Sequence, residues 1–209
     1  MRKRLGTLTL LGSALVLTMY VAGTTIMGAQ PPLAIDSARI TISGTSNIHA
    51  YTASTSTVRV TRSQVAGAVE GPDFWANVLK PGFVEIFEVA IPSATLTSPV
   101  EGVDKNMHNA LQVTAHPDIV FRLLRLEPRP GETGAVRGVG VLQIAGVERE
   151  VTLDITTERK KSTLNVQGRV RLLMTDFGIK PPTAMLGMLK TDPKVTVTFE
   201  TVLTIPHTS

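Results

Sequence analysis

The sequence predicts an all-β protein, either a sandwich or a closed antiparallel barrel. One observation is a repeated alternation of apolar and polar residues, which is typical of strands with one buried face. The other is the composition of the 209 residues: 43% are hydrophobic but only 4% are aromatic. A core must therefore be built mainly from aliphatic and β-branched side chains, which favour strands.

Eight segments carry the strand pattern. The clearest is 164–172, in which Leu164, Val166, Val170 and Leu172 alternate with polar residues. The predicted strands cover residues 38–44, 55–61, 82–91, 118–126, 136–144, 150–156, 164–172 and 194–205. Turn-forming residues separate several of them, at 128–131, 145–147 and 159–162.

Two segments do not fit the strand pattern. Residues 103–111 (VDKNMHNAL) predict a short helix, with Asp104 as its cap. Residues 181–190 (PPTAMLGMLK) predict a short apolar helix or lid that begins with prolines. Met185 and Met188 in this lid either cover a ligand with adaptable side chains or plug the barrel end as core.

The N-terminus has the pattern of an export signal. Basic residues at 2–4 precede an apolar stretch that reaches about Ala22, and small residues follow up to Ala29. We expect a signal peptide over residues 1–29, cleaved after Ala29 or nearer Ala22, and a mature domain over 33–207. An uncleaved anchor is the alternative, because no charge occurs between Leu5 and Ile35. Both interpretations place the domain outside the cytoplasm, as a periplasmic or secreted protein.

The charge and the missing cysteines exclude several functions. Three of the 21 basic residues lie at positions 2–4, and the other 18 nearly balance 17 acidic residues, so we expect no nucleic-acid partner. Without cysteine there is no disulfide, catalytic thiol or thiolate metal site. Four histidines without close spacing predict no metal site, and nothing in the sequence indicates a cofactor.

Five motifs, in order between about residues 35 and 205, resemble the YceI-like, polyisoprenoid-binding family of exported bacterial proteins. His116 stands where that family usually has an aromatic residue. The motifs are 44–49 (GTSNIH), 104–111 (DKNMHNAL), 116–121 (HPDIVF), 138–147 (GVGVLQIAGV) and 175–179 (TDFGI).

The resemblance implies an extended, lipocalin-like antiparallel β-barrel of about eight strands with one or two short helices. It also implies a long internal tunnel, a long-chain isoprenoid or other lipid-like ligand, and the ability to form a homodimer. We expect an exported protein that sequesters or carries a long apolar amphiphile, polyisoprenoid or quinone-like. The alternative is a structural or interaction barrel whose core is filled by its own side chains.

We predict that a set of apolar residues and two histidines line the tunnel or its mouth. His49 and His108 either contact a ligand head group or fix local backbone. The set is Ile42, His49, Phe87, Met107, His108, Phe121, Leu142, Phe177, Met185, Met188 and Phe199. We expect no enzymatic activity, since no nucleophile motif is present; the least favoured alternative is an ester hydrolase using Ser46 and His49.

Overall fold

A single curled antiparallel sheet dominates the computed structural model, which describes residues 32–67, 69, 71, 73–100, 102–184 and 188–206. The predicted signal peptide and Met185 lie outside the described residues. The strands are β1 (Ala34–Ser46), β2 (Ala50–Thr55), β3 (Arg59–Val65), β4 (Val84–Pro92), β5 (Asp118–Pro128), β6 (Ala135–Ile144), β7 (Val147–Lys160), β8 (Thr163–Leu173), β9 (Thr183–Ala184) and β10 (Leu189–Thr204). The helices are α1 (Phe74–Val78) and α2 (Val103–Leu111), with 3₁₀ turns at Ser93–Thr95 and Met174–Phe177.

The strand order is β2-β1-β10-β8-β7-β6-β5-β4-β3, and β9 pairs with the start of β10. Two contacts join the opposite ends of this sheet. The backbone amide of Leu33 donates to Ser63 Oγ at 3.2 Å, and Ser54 exchanges backbone hydrogen bonds of 2.8 and 3.0 Å with Thr97. The sheet therefore curls into a barrel, as the sequence predicted.

The alternation within strands separates an apolar interior from a polar surface. In β8, Leu164, Val166, Val170 and Leu172 line the interior, as predicted. The predicted turn at 145–147 is the two-residue link between β6 and β7, because Ile144 pairs directly with Val147. Every second residue of a strand faces the barrel interior, and register shifts in β1, β3 and β5 change which residues do so.

The short helix α1 closes one end of the barrel. Phe74 and Trp75 are each only 3% exposed, their rings meet edge to face at 5.1 Å, and they pack with Leu33 and Leu164. This helix was not predicted from the sequence, because five residues are too few to show a helical period.

Three local predictions were wrong. The strand predicted at 55–61 is interrupted at 56–58, so the sheet gains a ninth strand. Asp104 does not cap α2: Gly102 holds the cap position, and Asp104 Oδ1 accepts a hydrogen bond from the Ser98 amide at 2.7 Å. The described parts of 181–190 form the β9–β10 pairing instead of a helix, because Asn47 fixes that backbone beside β1.

Two glycines in the loop between β5 and β6 provide a test of packing on β7. Gly131 and Gly134 have φ of 84° and 77°, but only at Gly134 would an added Cβ meet a backbone atom, Thr157 O at 2.5 Å. Gly131→Ala is expected to lower the free energy of unfolding by about 1 kcal/mol through left-handed strain alone. Gly134→Ala is expected to lower it by about 2–4 kcal/mol, because the collision adds to that strain.

Urea unfolding of both variants measures this difference. Equal losses of stability would contradict the close approach of Gly134 to β7.

Candidate functional site

The barrel encloses a cavity of about 220 Å³ with an almost wholly apolar wall. Of the described residues that line it, all are aliphatic or aromatic except Thr157 and Thr201. The wall is apolar because it is formed by the inward positions of successive strands. The interior is therefore not filled by its own side chains, and water has few partners there.

A second cavity of about 380 Å³ lies at the end of the barrel opposite α1. Its wall includes α2, the loop after β1, the second 3₁₀ turn and the start of β10. Five residues line both cavities, so they adjoin: Ile42, Ile119, Ile144, Leu172 and Val197. The described lining of the second cavity is apolar at depth and polar at the rim, where Ser46, His49, Tyr51, Asn106, Thr183 and Thr191 lie.

α2 is fixed against this cavity by its histidine. His108 Nε2 lies 2.8 Å from the carbonyl oxygen of Leu96, which is buried at 1% exposure. Met107, one residue earlier, lines the cavity. His108 therefore bonds the backbone and is absent from both cavity walls, while its neighbour supplies the apolar surface.

The loop after β1 is held to β10 by Asn47. Its Nδ2 donates to the carbonyl oxygen of Met188 at 2.8 Å, and its Oδ1 accepts from the Lys190 amide at 2.8 Å. The Asn47 amide also donates to the Lys190 carbonyl at 3.1 Å. These bonds fix the edge of the second cavity, and sequence reasoning missed this role although Asn47 lies in the GTSNIH motif.

The Ser46 hydroxyl serves the backbone of the same loop. Ser46 Oγ donates to the His49 carbonyl oxygen at 2.9 Å and accepts from the His49 amide at 3.1 Å. The hydroxyl thus bonds the backbone of His49 and not its ring. The geometry of a serine activated by histidine is not formed here.

Tyr51 is the residue of this site that sequence reasoning missed most completely. It pairs with Gly44 across β1 and β2, on the same face as Ile42, so its ring lies inward over the glycine. Its hydroxyl is buried and has no hydrogen-bond partner among the described residues. Burial raises the pKa of the Tyr51 phenol above its usual value near 10, and the negative charge of Asp192 adds to the shift.

The structure brings most of the predicted site residues to the two cavities. Ile42, Phe87, Phe121, Leu142 and Phe199 line the first cavity, and Ile42, His49, Met107 and Phe177 line the second. Met188 is 66% exposed and lies on neither wall. Whether any of these residues contacts a ligand stays a prediction.

Two features are absent from the described residues. Within the ranges that the structure describes, no three histidine or acidic side chains gather as a metal site would require. No helix in that same part of the chain has the length and apolar character to cross a bilayer.

Solved structures from three bacteria share this fold. Burkholderia cenocepacia BcnA matches with a TM-score of 0.60 and 12% identity, over 79% of this chain and 95% of that one. A polyisoprenoid binding domain from Saccharophagus degradans, implicated in plant cell wall breakdown, matches with a TM-score of 0.58 and 10% identity, over 84% and 99%. The Campylobacter jejuni YCEI protein matches with a TM-score of 0.51 and 14% identity, over 72% and 85%.

The fold and its cavities define an antiparallel barrel with a hollow, apolar interior. The model of the YceI-like domain matches residues 33–203, and the chain belongs to that family. No curated protein matches the sequence.

The raised pKa of Tyr51 predicts a fall in stability at high pH. The folded protein keeps the phenol proton at a pH where the unfolded chain releases it, so the free energy of unfolding decreases as the pH rises above about 10. Tyr51→Phe is expected to remove the part of this decrease in the free energy of unfolding that the Tyr51 phenol causes.

Urea titrations between about pH 8 and pH 11 measure the effect. Thr201→Val, which removes a hydroxyl that does not titrate in this range, is the control and should keep the wild-type dependence on pH. If Tyr51→Phe shows the same dependence of the free energy of unfolding on pH as the wild-type protein, the phenol is not buried.

Proposed function

We propose that this protein is an exported, non-catalytic carrier that holds one long apolar amphiphile, a polyisoprenoid or quinone-like molecule, inside the barrel. The observation that carries the proposal is the apolar wall of the first cavity, which adjoins a larger cavity with a polar rim. Ligand sites of about 300–1,000 Å³ are typically apolar with a few placed polar groups, and the two cavities have this character.

Burial of hydrocarbon supplies the affinity in this mechanism. Each methylene group that leaves water contributes about 0.8 kcal/mol, so a chain of about ten carbons gains enough to offset its ordering. No metal, charge or nucleophile is needed for such binding. The backbone bonds of Ser46 also give no support to the hydrolase alternative.

The likeness to the Saccharophagus degradans polyisoprenoid binding domain supports the isoprenoid class of ligand.

Export rests on the N-terminal pattern of residues 1–29. Fractionation of the native host, with mass measurement of the exported protein, should find a chain that lacks those residues. A full-length chain in the membrane fraction would support the uncleaved anchor instead. Homodimer formation stays a prediction.

A variant that fills the junction of the two cavities tests the carrier function. Val197 lines both cavities and pairs with Ile42 and Val170 on the neighbouring strands. Val197→Phe is expected to reduce ligand binding at least tenfold without loss of thermal stability, because the ring occupies empty space. Thr198→Phe, on the exposed face of the same strand, is the matched control and should bind normally.

Native mass spectrometry of protein purified from its own host, followed by organic extraction, reports the bound compound. The wild-type protein should carry one apolar molecule per barrel, and Val197→Phe should carry little or none. An empty wild-type barrel that also takes up no lipid probe would refute the carrier function.

A further inference from the structure

The Tyr51 hydroxyl is a buried polar group without a partner in the described structure. Folded proteins satisfy nearly all such groups, since an unpaired buried hydroxyl is unfavourable. Here the strand register holds the ring in place: Tyr51 lies over Gly44, where any Cβ would collide with the hydroxyl. Tyr51 lines the second cavity, so a bound molecule that reaches the hydroxyl from that cavity would satisfy it.

We propose that Tyr51 binds the polar head of the ligand, and that this head is an uncharged oxygen group such as an alcohol, ketone or ester. The inference rests on the proposed carrier function. The apolar tail then passes between Ile42 and Val197 into the first cavity, since both residues line both cavities.

The charges around the cavity favour a neutral head over a phosphate. None of the described residues that line the second cavity is lysine or arginine, and Asp192 adds negative charge at Tyr51. A buried phosphate would need charged donors to offset its lost hydration. Arg171 and Lys194 line a neighbouring groove that Tyr51 also lines, but along β8 and β10 it is the adjacent residues, Leu172 and Val195, that line the second cavity.

The head-group preference is measured with three probes that share one linear prenyl chain: the alcohol, the hydrocarbon and the monophosphate ester. Each displaces a fluorescent lipid from purified, delipidated protein. The wild-type protein is expected to bind the alcohol roughly tenfold more tightly than the hydrocarbon or the phosphate, the effect of one well-placed hydrogen bond.

Tyr51→Phe is expected to bring the alcohol and the hydrocarbon within about twofold of one another while the hydrocarbon affinity stays unchanged. Its thermal stability without ligand should be equal or higher, because an unpaired buried hydroxyl is removed. Thr198→Val is the matched control: it removes a hydroxyl from the exposed face of β10, and the preference for the alcohol should remain.

The outcomes separate the inference from the carrier function. If the hydrocarbon and the alcohol bind the wild-type protein equally, or the phosphate binds most tightly, the head-group assignment is overturned and the carrier function stands. If Tyr51→Phe keeps the tenfold preference, Tyr51 is not the contact. If none of the three probes binds the wild-type protein, the carrier function fails and the head-group inference fails with it.

Discussion

This structure depends on one constraint: side chains alternate between the two faces of each strand, and the sheet curls so that one face becomes the interior. Every second side chain faces the barrel interior. Where the alternation changes phase, between Ile35 and Ile40 in β1 and between Leu123 and Leu126 in β5, a register shift keeps apolar residues on the inner face. Barrel diameter grows with the number of strands. Nine strands with mainly aliphatic inward residues enclose more volume than those residues fill, and the cavities follow.

Three large rings of the interior lie against a glycine of the neighbouring strand. A Cβ at Gly140 would lie 2.5 Å from the Phe121 ring, and one at Gly168 would collide with Phe199. Tyr51 lies over Gly44 in the same manner. These three rings therefore lie across the wall and shape the cavities. Of the three, only the Tyr51 ring carries an oxygen.

Patterns of local origin were predictable from sequence. The alternation at 164–172, the helix at 103–111 and the turn at 145–147 each follow from neighbours in the chain, and the structure contains all three. The unpaired hydroxyl of Tyr51 depends on cross-strand register, which the sequence does not reveal. The backbone at Met188 and Lys190 is bound by Asn47, about 140 residues earlier, so the local prolines and methionines gave a wrong prediction of a helix for the described part of 181–190.

The buried aromatic pair of α1 makes the two ends of the barrel unlike one another. A ligand of the proposed kind would enter tail first and leave head first through the same opening, at the end of the barrel opposite α1. It never has to reverse direction inside the protein. Under the proposed function, a donor and a recipient would have to approach this same face in turn, so one complex could not hold both.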